Sequence, residues 1–126
     1  MDFSTFNLLV EWVIVEVTQM ISAQKLDRVF YALSDSTRRT ILHRIARGEC
    51  SVTEIAKPFD LSFAAVSKHL KVLESAELID RRKQGSFQMI SLNALKLRSV
   101  VEWLSFYEQF WSTRLSALKT LLEEKE

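Results

Sequence analysis

The 126-residue sequence has very few residues that interrupt regular structure: two glycines, Gly48 and Gly85, and one proline, Pro58. β-Sandwiches and β-barrels need turn residues every ~8–12 positions, and doubly wound α/β folds need glycine-rich loops. The composition is otherwise that of a globular domain, 48% hydrophobic and 26% charged. The sequence therefore predicts a mainly helical protein with one core.

Cysteine is also scarce, and basic residues are missing from the N-terminal segment. Cys50 is the only cysteine, so no internal disulfide can form and nothing indicates an oxidising compartment. Residues 1–24 contain no Lys or Arg, so the basic start of a signal peptide is missing. The apolar run 8–17 is too short to span a bilayer, and Glu11 and Glu16 interrupt it. These features predict a cytoplasmic protein that does not bind membranes.

Residue patterns that support catalysis or metal binding are missing as well. The sequence has no glycine-rich phosphate loop, no nucleophile elbow and no pair of carboxylates in a plausible cleft. A transition-metal site needs three or four ligands at matched spacing, and Cys50, His43 and His69 are scattered. We therefore expect neither an enzyme nor a protein that holds a metal or another cofactor.

The charge is nearly balanced overall but not along the chain. The formal net charge is +1. Residues 34–92 contain ten basic and seven acidic side chains, whereas residues 1–33 are net −2 and residues 93–126 are neutral. A localised basic surface favours a polyanionic partner, although this excess is too small to identify one by itself.

Residues 6–21 are apolar on nearly every side, which is consistent with either a helix or a buried strand. We favour a helix because no strand partner follows nearby. Such a segment has to be covered, and a partner subunit is the expected cover. An open alternative is that translation begins at Met20, which would make residues 1–19 an upstream extension.

Three residues typical of helix N-caps divide the middle of the chain. Asp35 precedes one helix, and Ser51 opens a short helix with the spacing of a capping box. Ser62 then opens a helix near residues 63–77. Two short helices joined by a tight turn have the spacing of a helix-turn-helix.

Residues 78–92 alternate between apolar and polar side chains on both sides of Gly85, which predicts a β-hairpin with glycine at its tip. A basic hairpin directly after a helix-turn-helix makes a winged helix. We therefore predict a mainly α, winged helix-turn-helix domain at residues 25–92, with a small β-hairpin wing. An apolar extension at residues 1–24 precedes it, and a long dimerisation helix at residues 93–126 follows it.

The C-terminal helix has two adjacent apolar stripes, with leucines and aromatics repeating every three or four residues. One side can pack on the domain while the other packs on a second copy of the chain. The open alternative is that both stripes fold back on one chain and are covered by its N-terminal segment. The predicted dimer interface consists of Trp12, Leu97, Leu104, Tyr107, Trp111, Leu115 and Leu118.

The helix after Ser62 has an outward face suited to the major groove of DNA. With its leucines turned inward, Ala64, Lys68 and Lys71 point outward, and Ser67 lies at the edge of that face. Small side chains let the backbone approach, the serine can bond a base edge, and lysines reach guanine acceptors or phosphates. The alternative interpretation is that these lysines only contact solvent. The capped helix-turn before this helix and the basic hairpin after it favour DNA contact over this alternative.

Further basic residues lie where phosphates would be expected. Arg82 and Lys83 belong to the predicted wing, and strand alternation puts them on opposite faces. Arg38 and Arg39 lie in the first turn of the helix that Asp35 opens. Two interpretations of this arginine pair stay open, namely phosphate contacts and ion pairing with Asp35 or other acids.

Two segments carry a family resemblance. Residues 33–42, LSDSTRRTIL, and residues 65–73, AVSKHLKVL, resemble the characteristic helices of ArsR-type winged-helix transcriptional repressors. The resemblance implies a homodimer that binds an operator with two-fold symmetry. It also implies that terminal helices form the dimer interface. It also implies DNA contacts from Ser62, Ala64, Ser67 and Lys68 in the recognition helix and from Arg82 and Lys83 in the wing.

The sequence also departs from this family in ways that bear on function. It lacks the Cys-x-Cys before the turn and the Asp/His sets of the last helix that metal-sensing members have, so the resemblance is to a non-metal branch. Glu77 replaces the usual glycine before the wing, and Ser36 replaces the usual proline.

We predict a homodimeric DNA-binding repressor whose partners are double-stranded DNA, a second copy and an unknown effector. The alternatives are a protein-interaction module that uses the aromatic C-terminal helix, and a regulator with a small-molecule pocket at the helix interface.

Overall fold

The computed structural model describes residues 2–124, in which five α-helices surround a small sheet. Met1, Lys125 and Glu126, at the ends of the predicted segments 1–24 and 93–126, lie outside the described residues. The fold confirms the predicted mainly α winged helix-turn-helix. The elements are α1 (Phe3–Leu33), α2 (Ser36–Ala46), β1 (Cys50–Ser51), α3 (Val52–Ala56), α4 (Phe63–Ser75), β2 (Ile79–Gln84), β3 (Phe87–Leu92), a 3₁₀ turn (Ala94–Leu97) and α5 (Arg98–Glu124).

The three predicted N-caps all form. The Asp35 carboxylate accepts the backbone N–H of Arg38 at 3.0 Å, and the Ser51 hydroxyl accepts that of Glu54 at 3.2 Å. The Ser62 hydroxyl accepts the backbone N–H of Ala65 at 3.1 Å. Each cap satisfies a donor that the first turn of a helix leaves without a partner, which fixes where α2, α3 and α4 begin.

The core lies between the end of α1, helices α2 to α4 and the sheet. Val66, Leu70 and Leu73 form the buried side of α4, as their spacing predicts. The other buried apolar residues are Val29, Ala32, Ile41, Leu42, Ile45, Cys50, Val52, Ile55, Ala76, Leu78, Ile79, Ile90 and Val100.

The sheet is antiparallel, with strand order β1-β3-β2. β2 and β3 form the predicted hairpin, and Gly85 takes a left-handed φ of 61° at its two-residue turn. The short strand β1 was not predicted, because two residues are too few to show alternation. It places Cys50 opposite Ile90, fully buried, and this burial raises the pKa of the thiol.

Two predicted boundaries differ from the structure. α1 is a single helix that continues through residues 24 and 25, without a break between extension and domain. The predicted helix from residue 93 begins instead as the 3₁₀ turn, and α5 starts at Arg98. Leu97 therefore lies in that turn and packs against the core of its own domain. This packing covers part of Leu97, and its assignment to the dimer interface stays a prediction.

Both terminal helices leave the domain as long exposed arms. We define the α1 arm as residues 3–25 and the α5 arm as residues 101–124; nearly every side chain in them is exposed. The helices touch where the rings of Phe30 and Trp103 meet edge to face, 5.4 Å apart. The alternative in which both C-terminal stripes fold back on the same chain is therefore wrong for the described residues.

The length of α1 also revises the argument about membranes. Its 31 residues include an 18-residue window of mean hydropathy 1.3, none of it buried, so by length and composition alone this helix could cross a bilayer. The prediction that the apolar segment is too short to span a bilayer rests on residues 8–17 alone, and it is wrong about the length of the helix. Glu11 and Glu16 remain within the apolar segment.

Glu77 occupies a backbone conformation that favours glycine. Its φ is +61°, and its carboxylate bonds Lys96 at 3.0 Å, which lowers the carboxyl pKa through this hydrogen bond and charge. We expect Glu77→Gly to raise the midpoint of thermal unfolding by a few degrees, because the left-handed strain disappears. Glu77→Ala is the control, since it removes the carboxylate but keeps the β-carbon. Equal midpoints for the two variants would contradict the strain.

Candidate nucleic-acid interface

The structure presents the predicted DNA-contacting side of α4 to solvent. Ser62, Ala64, Lys68 and Lys71 are exposed, and Ser67 is half-buried at the edge of this side. The N-cap at Ser62 and the three buried apolar residues fix the rotation of the helix, so this exposure follows from local sequence. On this side the helix has the small residues Ala64 and Ser67 in its first turns, with Lys68 and Lys71 beside and beyond them.

Three lysines around this surface are free to bind an anion. Within residues 2–124, Lys68, Lys71 and Lys83 form no ion pair. A lysine without a protein partner can neutralise a phosphate without first breaking another contact. These lysines therefore give the α4 surface and the hairpin their uncompensated positive charge.

The arginines of the hairpin already have partners. Arg81 turns toward α4, where it pairs with Glu74 and donates to Gln88 at 3.0 Å. Arg82 pairs with Glu49 and donates to Gln84 at 3.1 Å, although its side chain remains 56% exposed. Both contacts of Arg82 use Nη2, so its other guanidinium donors remain available for a phosphate, although Glu49 offsets part of its charge. Lys83 has no such counter-charge.

Arg38 lies in the first turn of α2 as predicted, but its side chain is buried and does not face solvent. It is only 7% exposed, and its guanidinium donates to the carbonyls of Tyr31 and Ala32, both at 2.8 Å, while lying over the Tyr31 ring. The last carbonyls of a helix lack partners within the helix, and Arg38 supplies them at the end of α1. A buried guanidinium that is committed to carbonyls does not suit a phosphate contact, so this prediction is corrected.

A polar network links α2 to the recognition helix. Nη1 of Arg38 lies 3.4 Å from Nδ1 of His69 on α4, and the same ring nitrogen lies 3.8 Å from the Asp35 carboxylate. The backbone N–H of Arg38 lowers the pKa of Asp35, with smaller contributions from the charges of His69 and Arg38. The network holds the end of α1 and the middle of α4 together.

Arg39, in contrast, remains accessible. Its Nη1 donates to the carbonyl of Leu33 at 2.8 Å, and the rest of the guanidinium faces solvent. It keeps donors available for a phosphate.

A groove of ≈ 370 Å³ separates the start of α4 from the hairpin. Its walls include Phe63, the first residue of α4, and Phe87, the first residue of β3, which are 61% and 57% exposed. Phe63 is not among the predicted contacts, and its distance of three and seven residues from Val66 and Leu70 is typical of the buried side of a helix. The first turn of α4 projects beyond the core, and Phe63 therefore stays exposed.

No group of three or more His, Cys, Asp and Glu side chains that could hold a metal ion occurs among residues 2–124.

Comparison with known proteins gives consistent matches. Residues 35–81 match the sequence profile of the bacterial regulatory proteins of the arsR family. The HTH-type transcriptional regulator Rv2034 of Mycobacterium tuberculosis is 35% identical over 99 residues, which cover 79% of this chain and 90% of the relative. The transcriptional repressor SdpR of Bacillus subtilis is 37% identical over 79 residues, covering 63% of this chain and 88% of the relative.

The fold has a similar solved counterpart. The crystal structure of an ArsR family transcriptional regulator aligns with a TM-score of 0.66 and 34% sequence identity, covering 71% of this chain and 93% of that one. The matched profile spans α2 to the start of β2, which are the elements that position the exposed side of α4.

Proposed function

Since this chain belongs to the arsR family of bacterial regulatory proteins, we propose that it represses transcription as a cytoplasmic homodimer that binds a palindromic operator. The main support is the exposed, partner-free lysine side of α4, which follows a capped helix-turn and precedes a hairpin. In this fold the start of the second helix meets base edges in the major groove.

Each element of the interface has a separate task in this proposal. The small side chain of Ala64 leaves room for the bases beside the first turn of α4, and Ser67 and Lys68 bond base edges. Arg39, Lys71 and the wing bind phosphates and fix the orientation on the duplex. The proposed contacts are Ser62, Ala64, Ser67, Lys68, Lys71, Arg39, Arg82 and Lys83.

The two arms support the homodimer. On the α5 arm, Leu104, Tyr107 and Trp111 belong to one exposed stripe, and the α1 arm is exposed and, over residues 6–21, apolar on nearly every side. Contiguous exposed apolar surface of this extent is a feature of protein or membrane interfaces. A second copy can pack both arms into one helical bundle. The proposed interface is Trp12, Leu104, Tyr107, Trp111, Leu115 and Leu118.

We favour a second copy over a bilayer as the cover of the α1 arm. Glu11 and Glu16 would lie inside the hydrocarbon, where each ionised carboxylate is costly. Both arms carry a net negative charge, and Arg114 on the α5 arm is a cation that a helical bundle can place near Glu11 or Glu16.

Selection of bound duplexes from a random pool tests the proposal directly. We expect a palindrome whose half-sites are separated by about one helical turn, because two symmetric recognition helices must enter successive major grooves. Enrichment of no sequence, or of a single unpaired half-site, would contradict the proposed function.

Lys68→Ala is expected to weaken binding to the selected duplex by about 1–3 kcal/mol and to relax the preference at one base position in each half-site. Lys119→Ala is the matched control, because Lys119 is an exposed lysine on the α5 arm, far along the chain from α4. Affinity measured over a salt series separates the roles. If only the salt slope falls while the base preference is kept, Lys68 binds a phosphate instead.

A further inference from the structure

The two phenylalanines of the groove are the largest apolar groups next to the proposed DNA-contacting side of α4. Phe63 and Phe87 come from different elements, and both contribute to the same groove. Apart from Val52, the remaining walls are polar and include Ser67, Arg81 and Gln88. The groove is therefore an apolar surface placed among groups that can hydrogen-bond.

The position of Phe63 relates this surface to the duplex. Phe63 directly follows the N-cap Ser62, at the end of α4 that meets base edges in a helix-turn-helix. One turn later on the same side of the helix is Ser67, which is already among the proposed contacts. A ring at this position faces the bases that the first turn of α4 approaches.

The groups that base pairs present in the major groove determine what the Phe63 ring can contact. An aromatic face offers no conventional hydrogen-bond donor or acceptor, so it gains nothing from the polar groups in the major groove. The thymine 5-methyl is the one apolar group that the four base pairs present there. Contact between the ring and this methyl removes apolar surface from water on both sides.

We infer that Phe63 is a specificity-determining residue that packs on the 5-methyl group of one thymine in each half-site. This inference rests on the proposed function, because it requires that α4 lies in the major groove. It adds a dependence on the thymine methyl group that neither Lys68 nor Ser67 can provide, since both act through hydrogen bonds.

Uracil substitution tests this contact at the level of one methyl group. Each thymine of the selected duplex is replaced in turn by uracil, which keeps the pairing edge and lacks the methyl. At one position in each half-site, uracil should lower the affinity of the wild-type protein by about 3–10-fold. Phe63→Ala should bind the thymine and uracil duplexes equally well, and Phe63→Leu should retain part of the difference.

Leu95→Ala is the matched control, because Leu95 is an exposed apolar residue in the 3₁₀ turn and should leave the full methyl dependence. Circular dichroism checks that the variants are folded. A wild-type protein that selects a palindrome yet tolerates uracil at every position would overturn the inference and leave the proposed function intact. A methyl dependence that persists in Phe63→Ala would also overturn it, and selection of no duplex would overturn both.

Discussion

Replacing Trp111 with glutamate is expected to convert the dimer into monomers and to weaken binding to the two-half-site duplex by about 100- to 1,000-fold. Trp111 is 44% exposed in the single chain, in the middle of the stripe formed by Leu104, Tyr107 and Leu115. A carboxylate at this position would be buried without a partner in the bundle, which opposes association. In a dimer, binding to one half-site holds the second recognition helix close to the other half-site and so raises its effective concentration there. A monomer contacts one half-site only and loses this gain in affinity.

Analytical ultracentrifugation and a binding titration measure the two effects separately. Ser116→Glu is the matched control, because it adds the same charge to the opposite, polar side of α5 and should leave the dimer intact. If the Trp111→Glu variant still sediments with the mass of the dimer, this stripe is not part of the interface. Flotation of the wild-type protein with phospholipid vesicles would instead show that a bilayer covers the α1 arm.

Arg38→Ala is expected to lower the free energy of unfolding by about 2–4 kcal/mol. The substitution leaves the Ala32 carbonyl without its donor. It also removes one donor from the Tyr31 carbonyl, which keeps the donors of Ser34, and the contact of the guanidinium with the Tyr31 ring. Hydrogen bonds from a charged donor contribute about 1.5–3 kcal/mol each, and their loss at a buried site is not replaced by water. The loss should be accompanied by weaker DNA binding, because His69 also loses a neighbour.

Urea denaturation at a fixed protomer concentration measures this loss, since the stability of a dimer depends on concentration. Arg39→Ala is a close control. Its guanidinium also donates to a carbonyl of α1, that of Leu33, but it is exposed, so we expect a loss below about 1 kcal/mol. Equal losses for the two arginines would contradict the structural role assigned to Arg38.

The sequence was sufficient to predict the features that depend on neighbouring residues. The N-caps at Asp35, Ser51 and Ser62 and the buried side of α4 are all properties of a few consecutive positions. The hairpin is equally local, because Gly85 and the alternation beside it define it. The winged helix-turn-helix could therefore be assembled from short segments.

The features that were missed depend on contacts between different elements of the fold. The role of Arg38 is set by the carbonyls of another helix, and Leu97 is drawn to the core by the turn that precedes α5. The pairing of Arg82 with Glu49 joins positions 33 residues apart. Periodicity alone does not contain such information, since it describes one helix or strand at a time.

The continuity of α1 has a consequence for the operator. This helix contains neither glycine nor proline, and Arg38 ties its last turn to His69 on α4. The α1 arm and the turn that packs against α4 thus belong to one helix without a hinge, which limits how far the two copies of α4 in a dimer can move relative to each other. One extra base pair between the half-sites would turn one half-site by about 34° around the duplex axis, a misalignment that α1 cannot absorb by bending.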